Sequence, residues 1–231
     1  MAVRTRPIVA IDGPAGAGKS TVSRNVADAL RFVLVDTGAM YRAVALAAER
    51  AGVDWSDGGR VAEVARDLVA HHALRLLPDP ASGVRTFLGE EDVSEAIRSP
   101  EIGLGASSVS VHGPVRQALL ELQRQAGREG GVVLEGRDIG TVVFPDAEAK
   151  FFLTAKPEVR AMRRYEELLA KGQSVTLEQT LRDVVARDRQ DETRAVAPLR
   201  RAPDALEIDC SEHTIEETVS LIVAKVKALP T

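Results

Sequence analysis

Apolar residues recur along the chain in short, nearly unbroken runs: Ile8-Val9-Ala10-Ile11 leading into Asp12, Phe32 to Asp36, Val132 to Glu135, Lys150 to Thr154 and Ala205 to Asp209. Runs this short and this continuous predict strands buried on both faces. Most are separated by stretches with helical periodicity, the first from Thr21 to Leu30. Alternating strands and helices predict an α/β fold, with a five-stranded parallel sheet covered by helices on both faces. Almost a hundred residues separate the second run from the third, far more than one crossover helix needs, so an insert is expected there. Within it, Ala73 to Leu77 and Val84 to Leu88 read as two antiparallel strands. They flank a turn from Pro78 to Gly83, and Val93 is expected in a third short strand.

The stretch from Lys156 to Arg201 carries Arg160, Arg163, Arg164, Arg182, Arg187, Arg189, Arg194, Arg200 and Arg201. A helix from Thr176 to Thr193 would bring Arg187, Asp191 and Arg194 onto one side. Two accounts fit that spacing equally: a solvated charge network, or an arginine-bearing lid that closes over phosphates.

Composition sets the limits. The 231 residues suffice for one α/β domain or a core with small inserted subdomains. A formal net charge of −4 argues against a nucleic-acid surface, and no apolar run approaches membrane-spanning length. Cys210 is the only cysteine, which excludes an internal disulfide and fits a reducing cytoplasm. A cytoplasmic protein with no membrane and no nucleic-acid partner is expected. His71, His72, His112 and His213 lack metal-ligand spacing, and Trp55 is expected to pack rather than stack on a base.

The chemistry begins at Gly13-Pro14-Ala15-Gly16-Ala17-Gly18-Lys19-Ser20, which fits G-x-x-x-x-G-K-[ST] between the first strand and the first helix. Glycines let successive backbone N–H groups face a nucleotide phosphate. Lys19 adds a charge between the β- and γ-phosphates, and the Ser20 hydroxyl can ligate Mg²⁺. Thr21 opens the helix whose dipole points at the same anion. The second strand ends in Asp36-Thr37-Gly38-Ala39-Met40-Tyr41-Arg42 and the third in Glu135-Gly136-Arg137-Asp138. Both face the ligand side of an open α/β sheet. Each also has a plain reading, a Thr37 helix cap in one and a surface ion pair in the other.

Other nucleotide-binding classes lack their signatures here. The only asparagine is Asn25, so there is no N-K-x-D guanine motif, and no aspartate has a glycine three residues on. No apolar strand ends in Asp-Glu. A small kinase remains. A kinase acting on a small hydroxylated metabolite is disfavoured because Asp36-Thr37-Gly38 stands where that class has Asp-x-Asp. A nucleotide sensor would leave the second set of arginines unexplained.

With these residues in view, the chain resembles the bacterial cytidylate kinases of the nucleoside monophosphate kinase family. The resemblance rests on Ile11-Asp12-Gly13-Pro14 with the phosphate loop, on Asp36 to Arg42, on Gly136-Arg137-Asp138-Ile139-Gly140-Thr141-Val142-Val143-Phe144-Pro145-Asp146, and on Arg194-Ala195-Val196-Ala197-Pro198-Leu199. It implies a P-loop kinase core at about 1–36, 111–170 and 197–231, with a monophosphate-binding insert carrying a small antiparallel sheet at about 37–110. A helical lid follows at about 171–196. It implies ATP as donor with Mg²⁺, CMP and dCMP as acceptors, and direct transfer without a phosphoenzyme; a monomer is expected, although the sequence itself is silent on oligomeric state. Gly13 to Thr21 would bind ATP, and Lys19, Arg137, Arg187 and Arg194 would be catalytic. Thr37, Tyr41, Arg42, Ser107, Arg116, Arg137, Asp138, Arg187, Asp191 and Arg194 would bind CMP, and Ser20, with Asp36 through water, would hold the metal. Between Asp188 and Asp191 this chain has Arg189-Gln190, where relatives can carry a different order of Arg and acidic residues.

Overall fold

The computed structural model describes residues 4–79 and 83–229. In chain order the elements are β1 (Ile8–Asp12), α1 (Lys19–Leu30), β2 (Val33–Asp36), α2 (Thr37–Arg50), α3 (Gly58–Ala70), β3 (Leu74–Asp79), β4 (Gly83–Leu88), β5 (Glu91–Asp92), α4 (Pro100–Ser110), α5 (Gly113–Gly127), β6 (Val132–Gly136), β7 (Ala149–Thr154), α6 (Pro157–Ala170), α7 (Leu177–Thr193), β8 (Leu206–Asp209) and α8 (Ile215–Lys227). The five expected strands form one sheet in the order β2-β6-β1-β7-β8, every adjacent pair parallel. β1 and β6 lie in its interior and are buried at every position, which is why both read as unbroken apolar runs.

Alternate residues of β1 face two separate cores. Ile8 and Ala10 pack with α2, α3, α4 and α5, while Val9 and Ile11 pack with α1 and α8. The register places Asp12, the last residue of β1, opposite Gly136 of β6 and Phe152 of β7. The carboxyl ends of β1 and β6 therefore meet at one level, with β7 running two residues further, and the phosphate loop starts there.

The insert contains the antiparallel sheet β3-β4-β5. Its third strand is Glu91–Asp92 rather than a segment containing Val93. Val93 follows it, fully buried, with its N–H on the Thr86 carbonyl. The expected turn includes residues 80–82, which lie outside the described residues. At the start of α2 the cap is Asp36, whose carboxylate accepts from the Ala39 N–H, so the Thr37 cap is corrected. The preceding residue has the extended backbone that a cap requires, and Thr37 is already helical. α7 is capped by Thr176 and ends at Thr193, which leaves Arg194 as the residue that terminates it. Cys210 is buried just beyond β8. Trp55 donates its indole N–H to the Ala45 carbonyl, as a packing residue would. No helix among the described residues is long and apolar enough to cross a membrane.

Candidate active site

The loop from Gly13 to Gly18 depends on glycine backbone at its first position. Gly13 has φ +149°, and a Cβ there would lie 2.0 Å from the Leu153 carbonyl oxygen, so the loop runs flush against β7. Gly18, at φ 91°, turns the chain into α1 and offers no side-chain cap, which leaves the first amides of the helix for a ligand. Lys19 is buried and donates to the Pro14 carbonyl at 2.7 Å. Burial, reinforced by the nearby Arg137 cation, holds its ammonium well below the usual lysine range. Ser20 and Thr21 are exposed at the mouth.

Facing the loop, Arg137 donates its Nε to Asp191 of α7 at 3.0 Å, and Arg187, one turn earlier on α7, stands beside it. Burial, together with Arg137, pushes the Arg187 guanidinium down to about 10. Lys19, which is buried, and Arg137 and Arg187, which are partly buried, thus crowd positive charge together. That arrangement is unfavourable alone and favourable around anions.

A second group lies deeper. Arg116 bonds Asp138 at 2.5 Å, and Arg194 stands 3.8 Å from Asp138 and 3.9 Å from Asp191. The Arg116 guanidinium lies 5.3 Å from the centre of the Tyr41 ring. Arg194 is held in place by its own turn, its Nε donating to the Ala197 carbonyl at 2.6 Å, with Ala197 at a positive φ of 49°. Three buried side-chain atoms here have no hydrogen-bond partner: Ser107 Oγ, Arg187 Nε and Arg194 Nη2. Unmet donors concentrated at one place are the mark of a ligand site.

The remaining expected residues, Thr37 and Arg42, lie in the first turns of α2. Thr37 Oγ1 donates to the Glu135 carbonyl at 2.7 Å, and Arg42 lies 3.7 Å from Asp36. The structure therefore brings the expected residues to one crevice. It also gives contacts to three residues to which the sequence assigned no role. Glu135, the last acidic residue of β6, accepts the Ser20 hydroxyl at 3.0 Å. Burial, followed by the charge of Asp36, pushes its carboxyl up to about 7. Arg160 of α6 donates to the Ala15 carbonyl of the loop and forks onto Asp188 of α7. Asp12 accepts two amides of the segment after Asp138. Glu135 carries a signal, a charge at the end of an apolar strand, whereas the partners of the other two are set only by the tertiary fold.

Among the described residues no group of three or more His, Cys, Asp or Glu could hold a metal. A magnesium ion needs no such cage, because it keeps most of its waters and takes one or two protein oxygens with substrate phosphates. The Ser20 hydroxyl beside the Glu135 carboxylate, with Asp36 next to it, is a donor set that fits.

A family model described as cytidylate kinase matches residues 9–228. The chain is 54% identical over 220 residues to a cytidylate kinase of Geobacter sp. (strain M21), covering 95% of this chain and 92% of that protein. It is 52% identical over 222 residues to a cytidylate kinase of Pelotomaculum thermopropionicum, covering 96% of each. Among solved structures, an uncharacterized protein from Eubacterium ventriosum shares the fold with a TM-score of 0.51 at 12% identity, covering 96% of this chain and 99% of that one.

Proposed function

The chain belongs to the cytidylate kinase family and phosphorylates CMP and dCMP with ATP as donor, and from this premise we propose how its residues divide the work. The carrying observation is the crowding of Lys19, Arg137 and Arg187 between the phosphate loop and the Asp138 group. Two anions that repel each other must be held in line for transfer. Cations that repel each other, one buried and two partly buried, are the complementary arrangement.

In this reading the backbone N–H groups of the Gly13 to Thr21 segment, Pro14 having none, bind the donor phosphates with the Lys19 ammonium. Arg42, Arg137 and Arg187 hold the acceptor phosphate, Arg187 from the lid, and Arg194 with Asp191 lies near the ribose and base. No general base is assigned. The acceptor is a phosphate monoester whose second pKa lies near about 6, so it is already ionised and nucleophilic at neutral pH. Ser107, Arg116 and Asp138 surround the base with Tyr41 beneath Arg116, and Thr37 and Asp191 complete the nucleoside pocket. The Asp138 carboxylate accepts from the cytosine amine and rejects the uracil carbonyl, a discrimination of about 1 to 3 kcal/mol. Mg²⁺, when bound, neutralises charge between the β- and γ-phosphates. Ser20 would hold it, with Glu135 and Asp36 accepting from its waters.

The division into a core at about 1–36, 111–170 and 197–231, an acceptor insert at about 37–110 and a lid at about 171–196 follows from these roles. We further assign a cytoplasmic monomer that binds neither nucleic acid nor membrane; the net charge of −4 supports the exclusion of nucleic acid, and among the described residues no helix is long and apolar enough to cross a membrane. Coupled ADP release with ATP and Mg²⁺ against CMP, dCMP, UMP, AMP, GMP and shikimate tests the reading. Turnover with CMP and dCMP well above UMP is expected. Equal rates with UMP would remove the amine-recognition role from Asp138.

A further inference from the structure

The roles above leave one deeply buried carboxylate unused. Asp12 ends β1 immediately before the phosphate loop, and its two oxygens accept from the Ile139 and Gly140 amides at 2.8 Å each. Those partners lie 127 and 128 residues away in the chain. They are the first two amides of a π-helical turn, Ile139–Val143, whose later amides at Val142 and Val143 return to the Asp138 carbonyl.

Asp138 occupies the cap position of that turn but makes no side-chain cap bond. An aspartate at such a position ordinarily accepts an amide two or three residues on. Here that carboxylate faces Arg116 and Arg194 instead. Of the amides within its reach, that of Gly140, two residues on, is satisfied instead by Asp12 from another strand, which takes the Ile139 amide as well. The fit is close, because a Cβ on Gly140 would lie 3.4 Å from one Asp12 oxygen. The capping duty and the recognition duty are thus separated between two aspartates.

We propose that Asp12 is a positioning residue for base selection: by holding the Ile139 and Gly140 amides it releases the Asp138 carboxylate to read the cytosine, and it ties the reading segment to the strand that carries the phosphate loop. The inference rests on the proposed role of Asp138 and is tested so that the two can fail separately. Asp12→Asn keeps the shape but can offer only one acceptor, and its amide group would meet one of the two N–H donors. The turn then recruits Asp138 as its own cap.

The measurement is kcat and KM for ATP, CMP and UMP in wild type, Asp12→Asn and Asp138→Asn. For Asp12→Asn the expected result is a fall of about tenfold in the CMP to UMP ratio of kcat/KM, with KM for CMP raised and KM for ATP within about twofold of wild type. A uniform loss of kcat on both acceptors with the ratio unchanged would mean a merely structural role and overturn the proposal, provided Asp138→Asn does lower the ratio. If neither variant lowers it, the base-reading role of Asp138 is itself wrong and the proposal falls with it. Should Asp12→Asn not fold, amide hydrogen exchange in the unaltered protein decides. Ile139 and Gly140 are expected to exchange as slowly as Ile11 in the sheet, and exchange at the rate of an open loop would sink the idea.

Discussion

Two neighbouring buried groups, Lys19 and Glu135, have their ionisation pushed in opposite directions by the same dry surroundings. Burial and Arg137 lower the lysine; burial and Asp36 raise the glutamate to about 7; each charge partly supports the other. The glutamate has a consequence for stability that can be measured. Its folded value lies above the ordinary 4.5, so the folded protein holds this proton more tightly than the unfolded chain does. The corresponding stability is fully present below about pH 4.5 and is lost as pH rises through about 7. Glu135→Gln keeps an acceptor for Ser20 but removes the ionisation. Thermal unfolding of the metal-free protein should give similar Tm values for variant and wild type near pH 5, and a variant more stable by a few degrees near pH 8. A gap that does not change with pH would show that Glu135 titrates as an ordinary surface carboxylate.

At the scale of elements, α6 and α7 form a pair whose register on the core is set by one cation. Arg160 is buried and reaches three places: the Ala155 carbonyl after β7, the Ala15 carbonyl in the phosphate loop, and both oxygens of Asp188, at 2.9 and 2.5 Å. Asp188 directly follows Arg187, so this fork also fixes where the transfer-site arginine sits. Removing one partner of a buried pair leaves the other charged and unmet, which costs more than the pair itself contributes. Asp188→Asn is expected to destabilise the protein by roughly 3 kcal/mol in urea unfolding and to lower kcat more than KM for either substrate. A change below about 0.5 kcal/mol would mark the pair as solvent-screened. Elements such as these were readable from the chain to different degrees. The strands announced themselves because both faces are buried, as in β1 and β6, and Arg187 and Asp191 share a helix as their spacing implied. Arg194 escapes helical spacing because its backbone has left the helix at ψ 142°, and its turn onto Ala197 holds it in place. Partners such as Asp12 with Gly140, or Arg160 with Ala15, join segments more than a hundred residues apart, and no local periodicity encodes them.

Across the whole molecule, a net charge of −4 surrounds a site whose cations come from distant segments: Lys19 at the start of α1, Arg137 after β6, and Arg187 on α7. Their mutual repulsion opposes closure of the lid onto the core, while the Arg160 fork and the Arg137–Asp191 pair favour it. An anion that spans the donor and acceptor positions removes the repulsion and adds bonds to both sides at once. A bisubstrate compound, cytidine joined to adenosine through five phosphates, should therefore raise Tm by more than ATP and CMP added together at the same concentrations. The second half then binds at the effective concentration set by the linker. The extra protection should appear in hydrogen exchange along α7 and the phosphate loop, beyond what ATP and CMP give separately. Lys19→Met, which takes away one of the three cations while keeping a side chain that can stay buried, should lose most of the bisubstrate increment. Were that variant to retain the whole increment, the stabilisation would come from base contacts rather than from phosphates relieving the repulsion among Lys19, Arg137 and Arg187.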